Sequence, residues 1–152
     1  MERPIVVTDP SERAPELIRE AAEVAAAAGV PLRVLTIVSQ QEFENDADVI
    51  GSIASVERTS YELERSEYAE QIAGTAVRDL MGDLDLETQT IGEGIDDEDE
   101  RGSKILEVAE DEECDYIFLT GRRRSPTGKV IFGDTAQEVI LNFDGFVVTA
   151  MN

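Results

Sequence analysis

Two spacings of apolar residues alternate along the chain, and together they predict the element order β-α-β-α-β-α-β-α-β. Short runs rich in β-branched and aromatic residues predict strands, whereas apolar residues three or four positions apart predict helices. The predicted strands are residues 5–8, 32–38, 84–91, 115–120 and 146–150. The predicted helices are residues 12–28, 60–81, 103–113 and 134–142.

The segments between these elements carry residues that interrupt regular structure. Gly29 and Pro31 predict the end of the first helix. Residues 40–59 have weak periodicity and predict a loop with at most a short helical turn. Residues 92–101 hold six acidic residues and two glycines, so they also predict a loop.

Strands that alternate with helices predict an α/β fold. Right-handed crossovers place the helices on both faces, which gives a doubly wound five-stranded parallel sheet. We expect one domain over residues 1–152. Ligands of such sheets bind beyond the carboxyl ends of the strands, where the strand order reverses. The loops after the first and fourth strands are therefore the expected ligand site.

The net charge of the chain indicates the salt concentration to which the protein is adapted and the kinds of partner it can bind. Thirteen Lys and Arg residues against 34 Asp and Glu residues give a net charge of −21, and only Lys104 and Lys129 are lysines. Such a surface repels itself unless salt screens it. We expect adaptation to molar salt, with an ordinary acidic protein as the alternative. Nucleic-acid binding is disfavoured because it needs a basic face.

Location can be predicted from three features. Cys114 is the only cysteine, which suits a reducing cytoplasm, and its acidic neighbours predict an unreactive thiol. The first residues show no basic segment followed by an apolar run, so no signal peptide is expected. Residues 24–30 form the longest stretch of low polarity and are too short for a bilayer. A soluble cytoplasmic protein without membrane partners is expected.

The composition also limits the chemistry. The chain has no histidine, which removes the usual general base and the common catalytic triads. The motifs GxxxxGK[ST] and GxGxxG are missing as well. An adenylyl transferase would need a phosphate loop after the first strand, which Asp9 and the residues after it do not supply. We expect at most slow ATP hydrolysis.

The segment from Gly121 to Thr135 is the richest in candidate ligand-binding residues. It holds four of the thirteen basic residues, three glycines and three hydroxyl residues. Gly133 precedes the last helix, whose free N–H groups and positive end favour an anion. Gly121 is expected to let the chain turn sharply after the fourth strand. The alternative is structural: Asp134 and Gln137 form an N-cap and its capping-box partner, and the arginines neutralise nearby carboxylates.

This segment resembles the G-x2-G-x9-G-[S/T] phosphate-binding motif of the universal stress protein family. The sequence Val7-Thr8-Asp9-Pro10-Ser11 is similar to the end of that family's first strand. The resemblance covers nearly the whole chain in element order and length, and the acidic composition resembles a haloarchaeal member. It implies an adenine nucleotide alpha hydrolase-like fold with strand order 3-2-1-4-5, and ATP or AMP as ligand.

The resemblance also implies roles for single residues. Asp9 would contact the nucleoside, although an Asx-turn before Pro10 is the alternative. Val38 would line the adenine pocket, and the backbones of Gly121 and Gly133 would approach the phosphates.

The segment departs from the family motif at two positions. Arg124 stands where the second glycine is expected, with eight rather than nine residues between it and Gly133. Asp134 replaces the Ser/Thr that precedes Thr135. Arg122 and Arg124 would then pair with phosphate oxygens, and Asp134 would hold Mg²⁺.

A homodimer is the partner that the resemblance implies. Family members pair through the last strand, and the run from Phe146 to Ala150 is short and uncharged, as edge pairing requires. Two functions stay open: a regulator that binds an adenine nucleotide, and a stress-associated homodimeric interaction protein that binds none.

Two further groups of residues are interpreted as structural. The acidic residues of the 92–101 segment lack the spacing of an EF-hand, so a solvated loop is expected. Tyr61 and Tyr68, seven residues apart on one helix, are expected to pack rather than to stack on bases.

Overall fold

The computed structural model describes residues 1–9, 13–45, 58–121 and 132–151, with the backbone alone for 58–63. Its strands are β1 (Pro4–Thr8), β2 (Leu32–Ser39), β3 (Thr88–Ile95), β4 (Tyr116–Gly121) and β5 (Phe146–Met151). Its helices are α1 (Ala14–Ala28), α2 (Gln40–Asn45), α3 (Arg58–Met81), α4 (Arg101–Asp111) and α5 (Asp134–Asn142), with a 3-10 turn at Glu98–Glu100.

All five strands are parallel and lie in the order β3-β2-β1-β4-β5, which confirms the predicted fold class. The strand order reverses between β1 and β4. The helices that follow these two adjacent strands therefore lie on opposite faces of the sheet. A crevice opens at such a reversal. Thr8 of β1 pairs with Thr36 of β2, whereas β2 continues to Ser39 along β3 alone.

The sheet has an apolar core on each face because successive residues of a strand point to opposite sides. Val6, Val34 and Phe118 pack with α1 and α3 on one face. Ile5 and Ile117 pack with α4 and α5 on the other. Of the helices in the described part of the chain, none combines the length and hydropathy that a bilayer crossing requires.

Helix α1 ends as its sequence predicts. Gly29 adopts φ 70°, a left-handed conformation that costs glycine little. Its N–H donates to the Ala26 carbonyl and the Val30 N–H donates to the Ala25 carbonyl, both over 3.1 Å. Arg13 is the N-cap residue, and residues 10–12 lie outside the described residues.

The prediction for β3 and the following loop was wrong. The strand covers Thr88–Ile95 rather than residues 84–91, and α4 begins at Arg101. Glycine and acidic residues disfavour strands in isolation, but here residues 92–95 pair with the carboxyl half of β2. Tertiary pairing therefore overrides local propensity.

The absence of a side chain at Gly92 explains why glycine stands in this strand. A Cβ there would overlap the Ser66 carbonyl oxygen and the Glu70 backbone nitrogen of α3, and would lie 2.9 Å from the Glu70 Cα. Gly92 thus lets α3 pack directly on the backbone of β3.

The segment after β2 was predicted as a loop with at most a helical turn, but residues 40–45 form the short helix α2. Phe43 of this helix is fully buried and belongs to a small cluster with Val38, Ala69 and Tyr68. Burial of one large aromatic side chain favours the helix here, although the local periodicity is weak. Residues 46–57 lie outside the described residues.

Substitution of two glycines tests the close contact between α3 and β3. Gly92→Ala should lower the free energy of unfolding by about 1–3 kcal/mol, because the methyl group overlaps helix backbone. Gly74→Ala is the matched control within α3, where the nearest atom to an added Cβ is Arg78 Nη1 at 3.7 Å. It should raise stability by roughly 0.5–1 kcal/mol. Urea unfolding at constant KCl concentration measures both, and equal stability of Gly92→Ala and the wild type would contradict the packing argument.

Candidate functional site

Two adjoining cavities form a cleft at the carboxyl ends of β1, β2 and β4. The larger lobe has a volume of about 670 Å³, and the smaller lobe about 230 Å³. The larger lobe is lined by Thr8, Asp9, Ala14, Pro15, Ile18, Thr36, Ile37, Val38, Glu42, Tyr68, Gln71, Ile72, Thr75, Ala76 and Arg101. The smaller lobe is lined by Val7, Thr8, Asp9, Glu42, Glu98, Arg101, Ile105, Leu119, Thr120, Gly133, Asp134, Thr135 and Ala136.

Polar side chains join the ends of the three strands where the lobes meet. The hydroxyls of Thr8 and Thr36 are hydrogen-bonded over 2.7 Å. Asp9 follows β1 directly and accepts a hydrogen bond from the Thr120 hydroxyl of β4. Carboxylate and hydroxyl oxygens therefore lie at the waist of the cleft, as recognition of a sugar or another polyhydroxyl group would require.

The larger lobe is mostly apolar. Ile18 of α1, Val38 of β2 and Ile72 of α3 contribute to its walls. Tyr68 also lines it, and its ring packs against Phe43 with centroids 5.7 Å apart. This contact confirms that Tyr68 packs in the core, but its place in the lining leaves stacking on a base untested. The side chain of Tyr61 lies outside the described part of the structure. A slot with apolar walls and a few polar groups suits a flat heterocycle.

The first turn of α5 borders the smaller lobe. Gly133 is the N-cap residue, with extended backbone and no side-chain cap, and Asp134 is the first helical residue. The alternative with Asp134 as the N-cap was therefore wrong. The Gln137 N–H donates to the Gly133 carbonyl, but the N–H groups before it have no partner within the helix. These groups and the helix dipole favour an anion.

Arg101, the first residue of α4, forms hydrogen bonds with several groups of the cleft. Its Nε donates to Glu98 over 2.6 Å, and its Nη2 donates to both Glu98 and Glu42. Its Nη1 donates to the carbonyl of Ile37 over 2.8 Å. Glu42 in turn accepts from the Ser39 N–H over 2.8 Å. One buried guanidinium therefore joins α4, β2 and α2.

The pairing keeps both partners charged. Burial acts to raise the pKa of Glu42, but the Ser39 N–H and the charge of Arg101 outweigh it, so the Glu42 pKa is below its ordinary value. Burial acts to lower the pKa of Arg101, but the bonds and charges of Glu98 and Glu42 outweigh it and raise the pKa. Arg101 is thus a fixed positive charge.

The structure brings most of the sequence-predicted site residues together. Asp9 borders both lobes, and Val38 lines the larger one. Gly133, Asp134 and Thr135 line the smaller one.

The remaining predicted site residues are not among the described residues that line the lobes. Gly121 is buried at the end of β4 and is not among the described residues that line the lobes. Its φ is outside the left-handed region, and the turn that was predicted after it lies outside the described residues. A Cβ there would lie 2.6 Å from the Met151 Sδ. Arg122 and Arg124 lie outside the described residues.

Several cleft residues were missed by the sequence analysis. Arg101 and Glu42 were assigned to loops, so their convergence could not be foreseen. The isolated arginine at the end of an acidic run was the available signal. The small and polar face of α3 was also missed, with Gln71, Thr75 and Ala76.

Two other candidate groups lie outside the lobes. Cys114 is buried on the α4–α5 face, and burial raises the pKa of its thiol to about 11, which supports the predicted lack of reactivity. Asp97, Asp99 and Glu100 bring carboxylate oxygens within 4.8 Å of one another and are exposed. Asp97 and Glu100 form a capping box around the 3-10 turn, which accounts for their proximity.

Comparisons with known proteins identify one family. The model of the "Universal stress protein family" matches residues 1–148. A universal stress protein from Archaeoglobus fulgidus is 25% identical, with a TM-score of 0.59 and 98% of each chain covered. No curated protein matches the chain by sequence.

Two further solved structures share the fold and carry a ligand. The complex of an Archaeoglobus fulgidus universal stress protein with dAMP is 21% identical, has a TM-score of 0.55 and covers 98% of this chain and 97% of that one. A universal stress protein in complex with cAMP is 14% identical, has a TM-score of 0.55 and covers 99% and 96%.

Proposed function

The chain belongs to the universal stress protein family, and we propose that it binds an adenine nucleotide, ATP or AMP, as a regulator of a stress response. The observation that carries this proposal is the two-lobed cleft, in which an apolar slot and a helix N-terminus meet at Asp9. The two relatives bound to dAMP and cAMP support an adenine nucleotide as the ligand class.

The lobes suit the three parts of such a ligand. The adenine would lie in the larger lobe beside Val38 and Tyr68, with the ribose at Asp9. The phosphates would enter the smaller lobe toward the N–H groups from Gly133 to Thr135. From the family motif we propose that the backbone of Gly121 and the side chains of Arg122 and Arg124 would also contact the phosphates.

Mg²⁺ is part of the proposal for ATP. Asp134 is exposed at the first turn of α5 and lines the smaller lobe, so its carboxylate would hold the ion beside the phosphates. We propose a binding protein rather than an enzyme, since the chain lacks histidine and therefore the usual general base.

Filling the larger lobe tests the nucleotide proposal. At about 100 times the dissociation constant, ATP or AMP should stabilise the wild type by about 2.7 kcal/mol. Ala76→Leu should lose most of this stabilisation because the larger side chain occupies the base slot, while leucine remains compatible with the helix. Ala27→Leu, at an exposed position of α1, is the control and should respond like the wild type.

Thermal shift in molar KCl, with and without Mg²⁺, is the measurement. If neither nucleotide stabilises the wild type, the proposal of nucleotide binding is contradicted. This result would favour the second candidate, an interaction protein that acts without a nucleotide.

A specific surface supports the second candidate and the homodimer. β5 is an edge strand, so one of its sides has no strand partner within the described sheet. Phe146 is 62% exposed at its start, and Leu141 is 71% exposed just before it. Exposed apolar side chains beside an open strand edge favour association of two copies. We propose a homodimer through the strand from Phe146 to Ala150.

A charge at Phe146 should weaken that dimer. Phe146→Lys removes the exposed ring and places at the proposed contact a charge that would have to lose its hydration. Gln89→Lys is the matched control, because it adds the same charge at an exposed position of β3, the opposite edge strand. Light scattering in molar KCl should give a monomer for Phe146→Lys and a dimer for Gln89→Lys. A monomeric wild type would contradict the proposal.

We propose a halophilic, cytoplasmic member of the family. The acidic composition supports the salt adaptation, and the single cysteine suits a reducing compartment. The net charge of −21 disfavours the compact state through self-repulsion, which salt screens. Most of the described ion pairs involve exposed carboxylates, for example Arg19 with Asp83 and Arg13 with Glu16, and such pairs stabilise little. Screened repulsion should therefore outweigh the loss of attraction.

Stability should rise with salt for this reason. Raising KCl from about 0.1 M to about 1 M shortens the Debye length from ~10 Å to ~3 Å, and the melting temperature should increase. Calorimetry measures the change. A melting temperature that stays constant or falls over this range would contradict the proposal that the acidic surface is an adaptation to high salt.

A further inference from the structure

Arg101 occupies the junction of the two lobes. It is the only basic residue among the described residues that line either lobe, and it lines both. Its side chain is 11% exposed. A positive charge enclosed in this way acts more strongly on a nearby ligand than a charge in water.

The hydrogen bonds of Arg101 to described residues use four of its five donors. A guanidinium has five N–H groups. Four contacts are described: two with Glu98, one with Glu42 and one with the Ile37 carbonyl. The second N–H of Nη1 has no hydrogen-bond partner among the described residues.

The two carboxylate partners are held differently. Glu98 lies three residues before Arg101 and binds side-on through both oxygens, over 2.6 and 2.9 Å. Glu42 comes from α2 and contacts Arg101 through one oxygen, and its side chain is 42% exposed. A ligand that approaches Arg101 would therefore need less free energy to weaken the contact with Glu42 than the contact with Glu98.

All the other charged residues of the described lining are carboxylates. Asp9, Glu42, Glu98 and Asp134 line the lobes. A phosphate that passes the waist of the cleft would be repelled by these groups, and Arg101 is the described charge that can offset the repulsion.

We propose that Arg101 contacts the phosphate nearest the ribose and sets the preference for phosphorylated over unphosphorylated ligands, with Glu42 competing for the guanidinium. This inference rests on the proposed function and names a specificity residue for it. Arg101 lies outside the segment from Gly121 to Thr135, so its contribution is separate from that of the phosphate motif.

AMP and adenosine are the probes, because they differ by one phosphate only. Arg101→Gln should weaken AMP binding by about tenfold or more, the usual effect of removing a hydrogen bond to a charged group, with little effect on adenosine. Glu42→Gln should strengthen AMP binding by about twofold to fivefold, since glutamine keeps an oxygen for the Ser39 N–H but removes the competing charge.

Matched variants control for net charge. Arg19→Gln and Glu23→Gln make the same charge changes in an exposed pair that does not line the lobes. Both should leave the ratio of AMP to adenosine affinity unchanged. Calorimetric titration at one KCl concentration gives the affinities, and circular dichroism melts show which variants are folded.

Each outcome has a defined meaning. Equal losses for AMP and adenosine in Arg101→Gln would assign Arg101 a purely structural role and overturn the inference. If Arg101→Gln does not fold, Glu42→Gln decides alone, and an unchanged affinity ratio overturns the inference. In both cases binding of AMP by the wild type would leave the proposed function intact. A wild type that binds neither ligand would overturn both.

Discussion

Unequal pairing along β2 is the constraint on which the cleft depends. β1 pairs with β2 only as far as Thr8 and Thr36, whereas β3 follows β2 to Ser39. The backbone groups of β2 beyond Thr36 that face β1 would be left without partners, which is costly for buried amides. Beyond Thr36, the Ile37 carbonyl accepts a hydrogen bond from Arg101 and the Ser39 N–H donates one to Glu42. Side chains of the cleft therefore bond backbone groups of β2 past the point where its pairing with β1 ends.

The close packing of α3 on β3 has a related effect on the larger lobe. Since Gly92 lets the helix pass against the strand backbone, the part of α3 with Tyr68, Ile72 and Ala76 forms a wall of the cleft. A bulkier residue in β3 would push this wall outward. The width of the proposed base slot thus depends on a residue that does not contact the ligand, as well as on those that do.

The sequence predicted the fold well because helices and strands here follow strong periodicity. The rule that ligands bind beyond the carboxyl ends of parallel strands predicted the loops after the first and fourth strands as the site. The family resemblance supplied Asp9 and Val38 as cleft residues. The sequence analysis misplaced β3 because glycines and acids signal a loop when pairing with β2 is unknown. For the same reason Arg101 and Glu42 were not foreseen. Their roles depend on contacts between residues 59 positions apart, which local patterns do not encode.

The position of Cys114 has a practical consequence. The chain has a single thiol, and it is buried in the core between the sheet, α4 and α5, with a pKa near 11. Alkylating reagents need a solvent-accessible thiolate, so the folded molecule should resist them and the opened molecule should react. The native chain thus contains its own reporter of core opening, and its labelling rate can follow local unfolding without any engineered cysteine.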